Sequence, residues 1–207
     1  NQNSEECPET LTLKADATLQ VLAYEGAYVS PIVKQKFTLK ASGNSGSGGS
    51  SSTATLVEDA VNLKVGDQVV IVATDYTAAL STEQKTNNRG QAGITKEGKN
   101  VTLSQNVQIL TLEEGAVDNT FAFNTGSGYL YAASSNSNHL KTQTTNNANG
   151  SWSISITDGV ASIVAQGTNT RNVMQYNQSS SLFACYSSAS QKAISLYKVN
   201  IATAEDY

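Results

Sequence analysis

The chain has 207 residues, long enough for one large domain or two small ones that bury a hydrophobic core without crosslinks. Hydrophobic residues make up 39% and charged residues 14%, and Ser, Thr, Asn and Gly dominate the rest, which argues against a helical bundle and a disordered polyelectrolyte. The formal net charge of −4 leaves the protein without the excess of positive charge that binds nucleic acid or an anionic membrane. We expect neither as a partner.

The first 41 residues contain short segments in which apolar and polar side chains alternate. This period is typical of half-buried strands, and it runs through Leu11–Leu13, Thr18–Tyr24 and Lys36–Leu39. Three or four strands are too few for a stable sandwich, which usually has about seven. We therefore predict that residues 1–41 are a partial β segment of a longer protein, or that they pack on the following domain.

This first segment resembles the closing strands of the chitobiase C-terminal-type immunoglobulin-like module. The resemblance rests on Ala17–Gly26, followed by Val29–Val33 and Phe37–Leu39. It implies a spacer without catalysis inside an exported, multidomain bacterial protein. It also implies that the protein is secreted or displayed on the cell surface.

Residues 42–53 consist of Ser, Gly, Asn and Thr alone. Such a segment has no side chain that anchors it in a core, and it behaves as a flexible coil. We predict a linker here, then one domain over residues 54–199 and a C-terminal tail over 200–207. No window approaches the roughly 18 consecutive apolar residues of a membrane span, so we predict no membrane insertion.

Beyond the linker, about a dozen short apolar runs are separated by clusters of Gly, Asn and Ser, and helical periodicity is absent. We predict an all-β domain. The runs form three groups of four, which begin at residues 69, 121 and 161. Units of this size cannot bury an apolar face alone, and three of them share a core in a β-trefoil. The alternative is an irregular barrel or a two-sheet sandwich.

The first of these groups is longer than the other two, which predicts an insertion. Polar residues accumulate at 86–91 and again at 96–100, and we expect the insertion in one of these two stretches.

One part of the second group resembles a repeat of the ricin-type trefoil lectins. The resemblance rests on Gly126–Ala133, Asn138–Leu140 and Gly150–Ile154. It implies the trefoil fold and carbohydrate binding. The chain departs from the family's sugar site, because Gly150 replaces the Gln of the Gln-x-Trp signature and no acidic residue follows Tyr131.

The same region contains the candidate ligand-binding residues. Between Tyr129 and Trp152, aromatic rings alternate with short amide and hydroxyl side chains. Rings stack on apolar sugar faces, and amides and hydroxyls pair with sugar hydroxyls. We predict a binding or adhesion module whose partner is a neutral glycan or a cell-surface protein. The candidate site residues are Tyr131, Asn136, Asn138 and His139.

Catalytic motifs are not found in the sequence. His139 is the sole candidate general base, and the acids near it in sequence are Glu113, Glu114, Asp118 and Asp158. No nucleophile elbow, phosphate-binding loop or metal-spaced His and Cys cluster occurs. We predict a protein that is not an enzyme and has no metal or cofactor. Two alternatives stay open, namely a hydrolase that uses His139 with a nearby acid and a purely structural spacer.

The two cysteines lie far apart in sequence. Cys185 lies in the apolar run Leu182–Tyr186, whereas Cys7 lies in a polar stretch. We predict that Cys185 is buried and unpaired.

Overall fold

The computed structural model describes residues 52–200 and four strand segments before them. These segments are β1 (Ala17–Val21), β2 (Tyr24–Glu25), β3 (Tyr28–Val29) and β4 (Val33–Phe37). β1 pairs antiparallel with β4, and β2 pairs antiparallel with β3. Contacts divide the chain into two units between Gly49 and Ser50. The predicted strand Leu11–Leu13, most of the linker and the tail beyond residue 200 lie outside the described residues.

The second unit is built from fourteen antiparallel strands. Its helical content within residues 52–200 is two single 3-10 turns, Ala60–Asn62 and Ala148–Gly150. The prediction of an all-β domain is confirmed. The strands are β5 (Thr53–Leu56), β6 (Gln68–Ala73), β7 (Ala78–Gln84), β8 (Arg89–Glu97), β9 (Asn100–Leu103), β10 (Leu110–Glu114), β11 (Phe121–Asn124), β12 (Tyr129–Ala132), β13 (Leu140–Gln143), β14 (Ser151–Thr157), β15 (Val160–Ala165), β16 (Val173–Asn177), β17 (Leu182–Tyr186) and β18 (Ile194–Val199).

Six of these strands form a closed ring, which we call the main barrel. Each pairs with the next in the order β6, β10, β11, β14, β15 and β18, and β18 pairs back with β6. The ring encloses a core that includes Ile71, Leu112, Phe123, Trp152 and Ile163. The predicted alternative of an irregular barrel is compatible with this closed ring.

A second closed ring shares two strands with the first, and we call it the side barrel. Its order is β6, β18, β5, β9, β8 and β7, and β7 pairs back with β6. It encloses a separate apolar cluster that includes Val101, Leu103 and Tyr197.

The shared strand β6 explains an unbroken apolar run in the sequence. Val69 and Ile71 belong to the main-barrel core, whereas Val70 and Val72 belong to the side-barrel cluster. A strand that is buried on both faces has no reason to alternate apolar with polar residues.

The two stretches predicted to hold an insertion lie at the two ends of β8, a strand of the side barrel. The stretch 96–100 contains the tight turn between β8 and β9, where Gly98 has a positive φ of 60° that glycine adopts without strain. The other stretch, 86–91, is polar in sequence but is not an exposed loop throughout, because Arg89 and Gly90 are buried at the start of β8.

Candidate functional site

Tyr131, the first predicted site residue, lies on the outward face of the β12–β13 hairpin. Its neighbours Leu130 and Ala132 are fully buried, and alternation along the strand directs Tyr131 to the opposite face. The ring is half-buried, and Lys141 on β13 is its cross-strand partner. An aromatic ring held on a partly exposed sheet face is the kind of platform on which a sugar ring stacks.

The other three predicted residues lie in the loop that joins β12 to β13. Asn136 is exposed, and its backbone N–H donates to Ser134 Oγ at 3.1 Å. Asn138 Oδ1 accepts a hydrogen bond of 2.7 Å from Arg171 Nη1. His139 is half-buried, and its carbonyl accepts from the N–H of Ala133 at 3.2 Å. The hairpin therefore carries all four residues, but the amide oxygen of Asn138 already has a protein partner.

A second loop, residues 166–172, braces the β12–β13 loop from the side. Asn169 Nδ2 donates to the carbonyl of Ala132 at 2.7 Å, and Ser135 Oγ donates to Asn169 Oδ1 at 3.2 Å. The N–H of Thr170 donates to Ser135 Oγ at 3.2 Å. These bonds and the Arg171 contact fix the loop before any ligand arrives, which lowers the entropy lost on binding.

Next to the predicted site is a hydrogen-bond network that the sequence did not indicate. Tyr129 Oη donates to Glu113 Oε2 at 2.8 Å, and Asn124 Nδ2 donates to Glu113 Oε1 at 2.6 Å. The hydrogen bond to the Glu113 carboxylate, together with desolvation, raises the pKa of the Tyr129 phenol. Strand register brings these residues together, because Asn124 pairs with Tyr129 and Thr111 pairs with Asn124.

Trp152 is not part of this surface. Its side chain is fully buried, and its indole N–H donates to the carbonyl of Leu130 at 3.1 Å. The expected alternation of rings from Tyr129 to Trp152 therefore leaves Tyr129 and Tyr131 as the accessible rings of the hairpin.

A buried guanidinium lies beneath the hairpins. Arg89 is 3% exposed, and its Nη2 donates to the carbonyl of Ser81 at 2.8 Å and to Gln108 Oε1 at 2.6 Å. Nη1 donates to Thr142 Oγ1 on β13 at 3.1 Å. Desolvation lowers the pKa of this guanidinium. The side chain ties together β7, β8 and β13, which is a structural role.

The acids and the histidine do not converge in the described part of the chain. Residues 52–200 contain two ion pairs, Lys99 with Glu58 and Lys198 with Asp67, and neither includes His139. The same residues contain no group of three His, Cys, Asp or Glu side chains that is close enough to hold a metal ion. The described helices include none that is long and apolar enough to cross a membrane.

Cys185 is fully buried, as predicted, and desolvation raises the pKa of its thiol. It forms no disulfide with any described residue. Its predicted lack of pairing with Cys7 falls outside the described residues.

Neither a protein-family model nor a curated protein matches this sequence. Among solved structures, the chain is similar to the crystal structure of the lysenin pore, with a TM-score of 0.47 and 12% sequence identity. The match covers 88% of this chain and 65% of that chain, so this chain spans just under two thirds of its length. At this identity the likeness concerns the course of the backbone alone. The resemblances to chitobiase-type and ricin-type modules gain no support from a family model.

Proposed function

We propose that residues 52–200 form a non-catalytic binding module that takes a neutral glycan on the β12–β13 hairpin. The observation that carries the proposal is the outward placement of Tyr131 on a hairpin whose connecting loop is braced by residues 166–172. A ring provides the stacking surface, and Asn136, His139 and Lys141 provide groups that pair with hydroxyls.

We further propose that this unit is a β-trefoil whose first repeat is enlarged by the side barrel. The order of the main barrel supports this proposal. Its six strands follow one another around the ring in chain order, and a hairpin leaves the ring after β6, β11 and β15. β7–β8, β12–β13 and β16–β17 are these hairpins, which gives three successive units of similar design.

We propose a secreted or cell-surface location in a bacterium and a spacer role for residues 1–41. The support is the resemblance of residues 17–39 to an immunoglobulin-like module of exported bacterial proteins.

The competing proposal, a hydrolase centred on His139, has less support. Both carboxylate oxygens of Glu113 accept hydrogen bonds from Asn124 and Tyr129, so this acid is already engaged. His139 forms no ion pair with a described carboxylate.

A glycan array probed with the full chain, followed by titration with the best sugar, tests the proposal. We expect weak binding that Tyr131→Ala and His139→Ala each reduce at least about tenfold, since each removes a central contact of a small site. Tyr131→Phe keeps the ring and should retain most of the affinity. Thr95→Ala, an exposed change on β8, is the control that should leave affinity unchanged.

Absence of binding at millimolar sugar would contradict the proposal. Binding that is unchanged by both alanine variants would also contradict it, and adhesion through protein contacts or a plain spacer would then be the better account.

A further inference from the structure

A cleft of about 410 Å³ lies over β14, β15 and β16, away from the β12–β13 hairpin. Its lining contains the hydroxyls of Ser155, Thr157 and Ser162 and the amides of Gln175 and Gln191. The other lining residues are Ala, Val, Met and Ile, so none of them is ionisable. The cleft is a neutral surface with both apolar and hydrogen-bonding parts.

One wall of this cleft is held rigidly by a buried amide. Gln175 is 4% exposed, and its Oε1 accepts from the backbone N–H of Gln191 at 2.6 Å. Its Nε2 donates to the carbonyl of Ser188 at 2.7 Å. Tyr176 and Lys192 exchange backbone hydrogen bonds of 3.1 and 3.0 Å in the same segment. The wall is therefore ordered before a ligand binds, so little conformational entropy is lost on binding.

Strand register relates this cleft to the corresponding place beside the β12–β13 hairpin, which the Tyr129–Glu113 hydrogen bond spans. Across β10, β11 and β12, Glu113 pairs with Ala122, and Asn124, two residues on, pairs with Tyr129. Across β14, β15 and β16, Ser155 pairs with Ser162, and Val164, two residues on, pairs with Val173. Ser155 thus takes the place of Glu113, and Val173 takes the place of Tyr129.

This replacement changes the space available on the outer face. The Tyr129 ring reaches across to the Glu113 carboxylate and occupies the face between β10 and β12. Ser and Val side chains are too short to make the same bridge. The shorter pair leaves the outer face of β14–β16 without such a bridge, and the cleft lies there.

We propose that this cleft is a second ligand site and that it binds one uncharged sugar ring. Its volume lies within the range of about 300–1,000 Å³ that is typical of small-molecule sites. A charged ligand would lose its hydration here without gaining a protein counter-charge, which is costly. The exposed Ser155, Thr157 and Ser162 offer hydroxyls to a polyol, and Val160 and Val173 offer methyl groups to the C–H face of the ring.

The test is calorimetric and ligand-observed NMR titration of the full chain. The probes are galactose, mannose, N-acetylglucosamine and lactose, with glucuronic acid and the neutral peptide Ser-Ala-Ser as comparators. Val173→Tyr places a ring in the cleft and should abolish binding of the best neutral sugar at this site. Ser162→Ala removes one hydroxyl from an exposed position and should weaken binding about two- to tenfold, the worth of one hydrogen bond.

The matched control is Thr95→Ala, which changes neither the cleft nor the hairpin and should leave binding unchanged. Loss in Val173→Tyr and Ser162→Ala supports the cleft, and Tyr131→Ala reports separately on the hairpin site. A loss confined to Tyr131→Ala overturns the cleft and keeps the hairpin proposal. If Val173→Tyr melts early, Ser162→Ala decides, since unchanged affinity in that variant overturns the cleft.

Absence of binding by every neutral sugar at millimolar concentration overturns the cleft proposal. Tighter binding of glucuronic acid or of the peptide than of any neutral sugar overturns it as well.

Discussion

The guanidinium of Arg89 and the amide of Gln108 form a buried hydrogen-bonded pair, in which Arg89 Nη2 donates to Gln108 Oε1 at 2.6 Å. Gln108 is 7% exposed, and its Nε2 donates to the carbonyls of Ile109 at 2.8 Å and Thr125 at 3.1 Å. Gln108 thus accepts a hydrogen bond from the cation and donates to two backbone carbonyls. A single neutral side chain anchors the buried charge to the main barrel.

Gln108→Leu should therefore destabilise the domain strongly. The change leaves a buried guanidinium with one acceptor fewer and two carbonyls without donors, which costs about 2–4 kcal/mol. Urea unfolding measures the loss. Gln166→Leu is the matched control, because Gln166 is exposed and its change should stay within about 0.5 kcal/mol. Equal stabilities of the two variants would show that Arg89 does not depend on Gln108.

A second prediction concerns the turn between β11 and β12. Gly128 has a φ of 151°, and a Cβ there would collide with the backbone carbonyl of Gln143 on β13. Gly128→Ala should cost about 2 kcal/mol or more, because both the backbone and the neighbouring strand must move. Gly93→Ala on β8 is the control, since its Cβ would meet open space. Thermal unfolding that lowers the melting temperature equally in both variants would contradict this account.

Titration of Tyr129 tests its contact with Glu113. The carboxylate accepts a hydrogen bond from the neutral phenol and disfavours the phenolate, so the pKa of Tyr129 lies above its ordinary value. Glu113→Gln removes the negative charge and should lower that pKa. NMR detection of the ¹³Cζ resonance follows this phenol individually, and Tyr129→Phe assigns the signal. A Tyr129 pKa that is unaffected by Glu113→Gln would disprove the coupling.

The buried thiol of Cys185 predicts a loss of stability in mild alkali. Its pKa is raised in the folded state, so the unfolded chain releases the proton first as pH rises above about 8.5. The folded state binds more protons in that window, and the free energy of unfolding falls with increasing pH. The slope from this group is at most about 1.4 kcal/mol per pH unit. Urea unfolding at pH 7.5 and pH 9.5 should show a smaller decrease for Cys185→Ala than for the native chain.

Strands of the second and third groups were predictable from sequence because each is a short apolar run between turn residues. Phe121–Asn124 and Ile194–Val199 are examples. β9 was not predicted as a strand, since Asn100–Leu103 is short and polar at every second position. Its apolar residues Val101 and Leu103 are buried only because a second ring exists for them to line.

The site was less predictable than the strands. Tyr131 and the loop residues were identified by composition, which needs no three-dimensional information. The Tyr129–Glu113 bond and the opening at Ser155 and Val173 depend on how strands are aligned across the ring. Arg89 lies in a polar stretch of sequence, and nothing local distinguishes it from an exposed arginine.

The pairing of β6 with β18 has a consequence for the order of events during synthesis. Both rings close through β18, which is translated after the other thirteen strands of the sheet. Until that strand leaves the ribosome, β6 has only β7 and β10 to pair with, and neither ring can close around its two apolar faces. Folding of this unit is therefore expected to wait for β18 and to be dominated by contacts between distant segments, which makes it slow for its size.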